Sequence, residues 1–259
     1  MGWAMAAETE SLRAAVRRQE HAAACLFSVC TPFSENLNRW RDDQLPDKYD
    51  TNTFEVCGSL PGEGEIAAAR DAQRQRGLSY LKLESGTPLP AAFTARCGFA
   101  ESCTLTMVLT GGYGTWRRNG DVTVFELGEH PMEEDLLELE RKVFGPVYGE
   151  DFTRRNLGRY LEVAGRKGPF RYFGAWEGDR FAGACYAVVR DGWAGLDGLV
   201  VDPACRNRYV ATSLMAGILD RLGPVSAYLH ADREDTPKDM YARMGFAPVD
   251  ELYEYFTDL

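Results

Sequence analysis

Apolar positions in residues 66–76 recur at helical spacing, Gly77 supplies a stop, and residues 78–83 read as a strand. The same succession returns further on, with a helix at 211–222, then Gly223, then a strand at 225–230. After each strand comes a Thr-Pro turn, Thr87-Pro88 or Thr236-Pro237, and a short helix closed by one of two related hexapeptides. These are Ala95-Arg96-Cys97-Gly98-Phe99-Ala100 and Ala242-Arg243-Met244-Gly245-Phe246-Ala247. Alternating strands at 104–109 and 252–256 end the two passages. Two related half-chains are therefore expected, residues 1–114 and 115–259, with the turn-rich Thr110-Gly111-Gly112-Tyr113-Gly114 at their boundary.

The second half carries the fuller pattern. A strand at 122–127 precedes an amphipathic helix at 132–143, opened by acidic residues, and a helix at 151–164. Strands at 170–176 and 181–189 flank the turn Glu177-Gly178-Asp179, and a strand at 194–201 runs into Asp202-Pro203 and a basic loop. Antiparallel strands first and crossover helices later predict an α+β (α/β layered) chain. Each half then holds a mixed, mostly antiparallel sheet flanked by helices.

Composition changes this picture little. At 259 residues, 45% hydrophobic and 26% charged, the chain is an ordinary globular protein long enough for two domains. Charge matters more, because Lys+Arg 29 against Asp+Glu 39 leaves −10, which repels phosphate backbones and sets nucleic acid aside as a partner. Seven cysteines without CxxC spacing read as reduced, mostly buried thiols in a cytoplasm, and three histidines predict no metal site. Glu8, Glu10, Arg13 and Arg17 interrupt any apolar leader, and the Met-Gly start lacks the Ser/Thr of a myristoylation signal. No apolar run approaches the ~20 residues that span a bilayer, so no membrane partner is expected.

Candidate chemistry enters at Leu199-Val200-Val201-Asp202-Pro203-Ala204-Cys205-Arg206-Asn207-Arg208-Tyr209-Val210-Ala211-Thr212, a buried strand, a short loop and the start of a helix. The unpaired N–H groups of a helix's first turn, helped by its dipole, can hold a diphosphate, and Arg206 and Arg208 add charge-assisted bonds. The competing reading is a solvated basic turn. About thirty residues on stands Tyr241-x-x-x-Gly245-Phe246, where Tyr241 is otherwise a core residue packing a short helix.

Taken as a pair, these segments resemble the GNAT superfamily of acetyl-coenzyme A-dependent N-acetyltransferases, whose pyrophosphate loop reads Arg/Gln-x-x-Gly-x-Gly/Ala. The matching residues are Arg206-Asn207-Arg208-Tyr209-Val210-Ala211, with Tyr209 where glycine is usual, and Glu234 replaces the usual Asn before the tyrosine. The resemblance covers residues 122–259 and, more loosely, the first half. It implies that Leu199, Val200, Val201, Arg206, Asn207, Arg208, Tyr209, Val210, Ala211 and Thr212 contact acetyl-coenzyme A, and that Tyr241 gives a proton to the departing thiolate. The implied activity is acetyl transfer to a primary amine of a small molecule, by direct attack in a ternary complex (EC 2.3.1.-).

An attacking amine must be neutral, yet free alkylamines titrate at about 10, so a group must take a proton. Asp197 is the nearest acidic candidate, with a structural role as its alternative. Glu150 and Asp151 either recognise a cationic acceptor or cap a helix. A backbone N–H near Leu199 or Val200 would serve the thioester oxygen. Cys205, flanked by arginines that would lower its pKa, offers an acyl-cysteine route that direct transfer does not need. Tyr209 can donate its own N–H if its φ is ordinary.

The first half lacks these groups. Its counterpart loop is Leu60-Pro61-Gly62-Glu63-Gly64-Glu65, whose carboxylates repel diphosphate, and Thr94 replaces Tyr241. It reads as a degenerate copy that packs against the catalytic half, making a monomeric pseudo-dimer or a homodimer. Residues 40–52 either line the acceptor cleft or form a solvated connection. Two other functions remain open: a non-catalytic acyl-coenzyme A sensor or regulatory module, and a structural protein without ligand.

Overall fold

A computed structural model describes residues 2–259. In chain order the elements are α1 (Gly2–Ala24), β1 (Val29–Pro32), β2 (Leu37–Arg41), β3 (Phe54–Val56), α2 (Glu63–Gln75), β4 (Tyr80–Ser85), α3 (Ala91–Cys97) and β5 (Ala100–Leu109). There follow β6 (Val122–Glu126), α4 (Glu133–Val143), α5 (Gly145–Tyr148), α6 (Glu150–Gly165), β7 (Phe170–Glu177), β8 (Arg180–Arg190) and β9 (Trp193–Val201). The chain ends with α7 (Val210–Leu222), β10 (Ser226–Asp232), α8 (Pro237–Arg243) and β11 (Phe246–Asp258). The α+β expectation is met: mixed, mostly antiparallel strands flanked by helices.

Two compact units form. The first takes the chain up to Met107 together with Ala231–Asp239 and Pro248–Leu259; the second takes Val108–His230 and Met240–Ala247.

In the first unit the strand order is β1-β2-β3-β4-β11-β5. β4 lies between a parallel neighbour, β3, and an antiparallel one, β11 in the register Lys82↔Phe256. Leu37, Phe54, Ile66, Leu81, Leu83, Phe93 and Tyr255 form its core. Tyr255 brings the chain's last strand into that core, and its hydroxyl accepts the Leu89 N–H at 2.7 Å, so the one polar atom of a wholly buried ring is satisfied. Residues 40–52 mix buried and exposed positions. Trp40 and Asn52 are buried, Trp40 donating to Glu55 at 3.2 Å and the Asn52 amide donating to the carbonyls of Leu45 and Lys48 at 2.9 Å each.

In the second unit the order is β10-β9-β8-β7-β6, parallel only between β10 and β9. α7 packs against this sheet with Leu214, Ile218 and Leu219 buried, and Gly183 on β8 lies beneath it, where a Cβ would come within 3.5 Å of Val210. Small residues on the sheet let the helix axis come close.

The hexapeptide repeat marks the same structural event twice. α3 ends on Gly98 at φ 68° and α8 runs out to Gly245 at φ 94°, a conformation natural to glycine, and a strand begins within two residues of each. The expectation of mostly buried cysteines needs correction: Cys103, Cys185 and Cys205 are buried, Cys30 and Cys97 half-buried, and Cys25 and Cys57 exposed.

Candidate functional site

β9 ends at Val201 and the chain turns at Asp202, which anchors everything that follows. Its carboxylate accepts from Lys142 at 2.8 and 3.0 Å, from Arg180 at 3.0 Å and from the Ala204 N–H at 2.8 Å. Burial opposes the charge, but these donors hold the carboxyl down at about 2. The next residue with a fixed role, Cys205, is fully buried, and burial pushes its thiol up rather than down. The acyl-cysteine route fails on both counts.

Arg206, Asn207, Arg208 and Tyr209 are exposed. Arg206 has no ion-pair partner among the described residues. Arg208 pairs with the buried Glu177 carboxylate at 2.8 Å through one guanidinium nitrogen, its side chain half exposed. Asn207 and Tyr209 both have left-handed backbones, φ 61° and 60°. This overturns the condition set on Tyr209: its φ is not ordinary. The turn needs the conformation a glycine would supply, at a cost of about 1–2 kcal/mol for a residue with a Cβ.

Tyr209 is held there by its neighbours. Its carbonyl accepts from the Ser213 N–H and the Thr212 hydroxyl, both at 3.0 Å, and the Arg117 guanidinium lies 4.4 Å from the centre of its ring. As N-cap of α7, Tyr209 contributes no side-chain cap. Val210, Ala211 and Thr212 therefore open a thirteen-residue helix with no side chain folded over its first amides.

A segment outside the loop motif clamps this loop. Asn119 donates from its backbone to Ser213 Oγ at 2.8 Å, and from its amide to Glu177 at 2.7 Å and to the Arg208 carbonyl at 3.1 Å. Arg117 accepts the Thr212 hydroxyl on its carbonyl at 2.7 Å. The visible signal was Arg117-Arg118-Asn119-Gly120, charged and turn-forming just before β6.

Upstream, β9 changes partners in a useful way. Its parallel register with β10 runs from Trp193↔Ser226 to Leu196↔Leu229, while β9 itself continues to Val201. Against β8 the register shifts between Ala184↔Val200 and Tyr186↔Asp197, so Gly198 and Leu199 together oppose Cys185. Gly198 sits at φ 62°, and a Cβ there would meet the Tyr186 ring at 2.6 Å, so glycine is required. The bulge bends β9 where its register with β10 ends, and among the described residues the edge at Leu199, Val200 and Val201 has no strand partner on that side.

Asp197 stands at the bulge, exposed. The Tyr186 hydroxyl donates to its Oδ2 at 2.8 Å and the Gly198 N–H to its Oδ1 at 2.6 Å. Burial, then Asp197, push the Tyr186 phenol well above its ordinary value, so it stays a donor. Tyr241 on α8 is 8% exposed, and its hydroxyl has no hydrogen-bond partner among the described residues. Burial, then Cys185 and Asp197, push its phenol far up. Tyr241 and Asp197 thus lie within electrostatic reach of one another. Glu150 and Asp151 are spent locally, on Arg141 and on Arg154 and Arg155, at the first turn of α6. Neither caps the helix, whose N-cap is Gly149 without a side-chain bond; both carboxylates lie in its first turn.

The profile of the Acetyltransferase (GNAT) family matches residues 133–246. Among solved structures, a functionally unknown conserved protein from Staphylococcus epidermidis superposes with a TM-score of 0.76 at 15% identity, covering 89% of this chain and 94% of that one. A GCN5-related N-acetyltransferase from Kribbella flavida gives 0.63 at 15% identity, with 94% of each chain covered. A tandem GNAT protein from the clavulanic acid biosynthesis pathway gives 0.55 at 16%, covering 86% and 78%. At such identities these likenesses are of fold. No curated protein matches the chain. Residues 133–246 are a GNAT acetyltransferase domain, of a family whose cosubstrate is acetyl-coenzyme A. Among the described residues no helix is long and apolar enough to cross a membrane.

Proposed function

We propose, with the GNAT domain as premise, that this chain transfers the acetyl group of acetyl-coenzyme A to a primary amine of a small molecule by direct attack in a ternary complex. The observation that carries the reading is the open first turn of α7 beside the unpaired Arg206. The residues there fit a diphosphate: the first-turn N–H groups, the unpaired Arg206 guanidinium, and two buried carboxylates, Glu177 and Asp202, already paired with Arg208 and with Lys142 and Arg180.

Each proposed residue then has a task. The amides of Val210, Ala211 and Thr212 and the Arg206 guanidinium hold the diphosphate, while Asn207, Arg208 and Tyr209 fix the loop that shapes the cradle. The free edge of Leu199, Val200 and Val201 pairs with the amide-bearing arm of the cosubstrate as a missing strand would. One of those N–H groups faces the thioester oxygen as its charge grows. The amine nitrogen attacks the carbonyl carbon, a C–N bond forms and the C–S bond breaks. Tyr241 gives its proton to the leaving sulfur, and Asp197, oriented by Tyr186, takes the proton that the nitrogen loses. The acceptor is a small-molecule amine, and the protein acts in the cytoplasm as a monomer or homodimer.

Acetyl-coenzyme A mixed with the protein and a panel of amines should release free thiol in proportion to N-acetylated product. A protein that binds coenzyme A saturably yet releases no thiol with any amine is instead an acyl-coenzyme A sensor, a reading that the strained Tyr209 at a glycine position favours.

A further inference from the structure

We propose that Arg117 and Tyr209 together form the subsite for the 3′-phosphoadenosine end of coenzyme A. The inference rests on the reading that the first turn of α7 holds the diphosphate, and it adds a group, Arg117, that lies outside the loop motif altogether.

Arg117 is fixed to this turn through its backbone, which accepts the Thr212 hydroxyl at 2.7 Å, and its guanidinium lies 4.4 Å from the centre of the Tyr209 ring. Arg206 apart, the neighbouring cations are paired. Arg118 pairs with Asp220 at 2.5 Å and Arg208 with Glu177 at 2.8 Å, whereas Arg117 has no carboxylate partner among the described residues. A chain of net charge −10 thus holds an uncompensated guanidinium beside a proposed diphosphate cradle.

Tyr209 supplies the second argument. It occupies a left-handed position at φ 60° that costs any residue but glycine, and its ring is 41% exposed, so little burial offsets that cost within the protein. What the ring does provide is a flat face carrying a guanidinium. A diphosphate at the start of α7, with its thioester arm directed to Asp197 and Tyr241, sends the nucleoside past the N-cap. A purine needs a flat partner and a 3′-phosphate dianion needs a cation; an arginine stacked on a tyrosine offers both.

Dephospho-coenzyme A differs from coenzyme A only in lacking the 3′-phosphate, so calorimetric titration of the full chain with each ligand tests the subsite. The wild type should bind coenzyme A about tenfold more tightly than dephospho-coenzyme A. Arg117→Ala should erase that ratio while leaving dephospho-coenzyme A affinity within about twofold, which also shows that the variant is folded. Tyr209→Gly, which keeps the left-handed backbone, should weaken both ligands and narrow the ratio. Equal binding of the two ligands by the wild type, or parallel weakening of both in Arg117→Ala, overturns the subsite and leaves the diphosphate reading standing. A wild type that binds neither ligand overturns the diphosphate reading and the subsite with it.

Discussion

The two helices that follow the counterpart loops, α2 in the first unit and α7 in the second, begin in opposite ways. At α2 the third residue, Glu65, folds back over the helix start and accepts the Gly62 N–H at 2.8 Å, with Ser34 and the Asn36 amide as further donors. Hydrogen bonds from Ser34, Gly62 and Asn36 hold this carboxyl at about 2. At α7 the equivalent third residue is Thr212, whose hydroxyl turns away to the carbonyls of Arg117 and Tyr209. One helix closes its positive end with its own carboxylate; the other has no side-chain bond from its N-cap. The first unit likewise closes its interior charge on itself, with Lys82 contacting Asp50, Glu84 and Glu254 at 2.9, 3.1 and 2.6 Å. The first unit thus differs by more than missing arginines: its helix start is capped from within.

Exchanging the third residue should have the largest effect. Thr212→Glu should lower acetyl-coenzyme A affinity by about 100-fold, since a carboxylate at the helix start competes with and repels the diphosphate, while far-UV circular dichroism stays that of the wild type. Unchanged affinity would mean that the ligand does not use this helix end. Next in size, Tyr241→Phe should reduce kcat about 10- to 100-fold with the Kd for acetyl-coenzyme A unaltered, read by steady-state thiol release beside calorimetry.

The reverse operation on the first unit is expected to be asymmetric. Glu65→Ala should cost about 1 kcal/mol or less in urea unfolding, because a cap is lost, and should create no second coenzyme A site. A binding stoichiometry of two would break the comparison. Acid should expose the same caps: the folded pKa of Glu65 and of Asp202 lies near 2, below the ordinary carboxylate value of about 4. Their contribution is thus present above pH about 4 and is lost as the pH falls towards 2, so the unfolding midpoint of Glu65→Gln should fall less over that window than that of the wild type. Smallest of all, Tyr209→Gly should change stability by less than about 1 kcal/mol, since relief of the left-handed backbone is set against the lost contact with Arg117.

Much was legible in advance. The order of elements from residue 122 onward, the Gly98 and Gly245 helix ends, and the strand–loop–helix around Arg206 all depend on local periodicity and turn chemistry, which short stretches of sequence encode directly. The departure at Tyr209 was also visible, though not its consequence. A conformational preference can be read from a residue type, but the φ that a turn imposes depends on what surrounds it.

Long-range pairing was hidden. No local signal told that Arg208 would be drawn to Glu177, that Asn119 would lock the loop, or that Arg117 would supply the free charge at its edge. Nor could the last strand be assigned to the first unit, where Tyr255 completes the core and β11 pairs with β4. By itself the sequence determined most helices and strands from residue 122 onward and where a candidate anion loop lies, because hydrophobic period and backbone preference act over a few residues. Only the tertiary structure decided which arginine is neutralised and which helix end stays open. Charge and hydrogen-bond compensation depend on distance in space, and residues far apart in sequence set it.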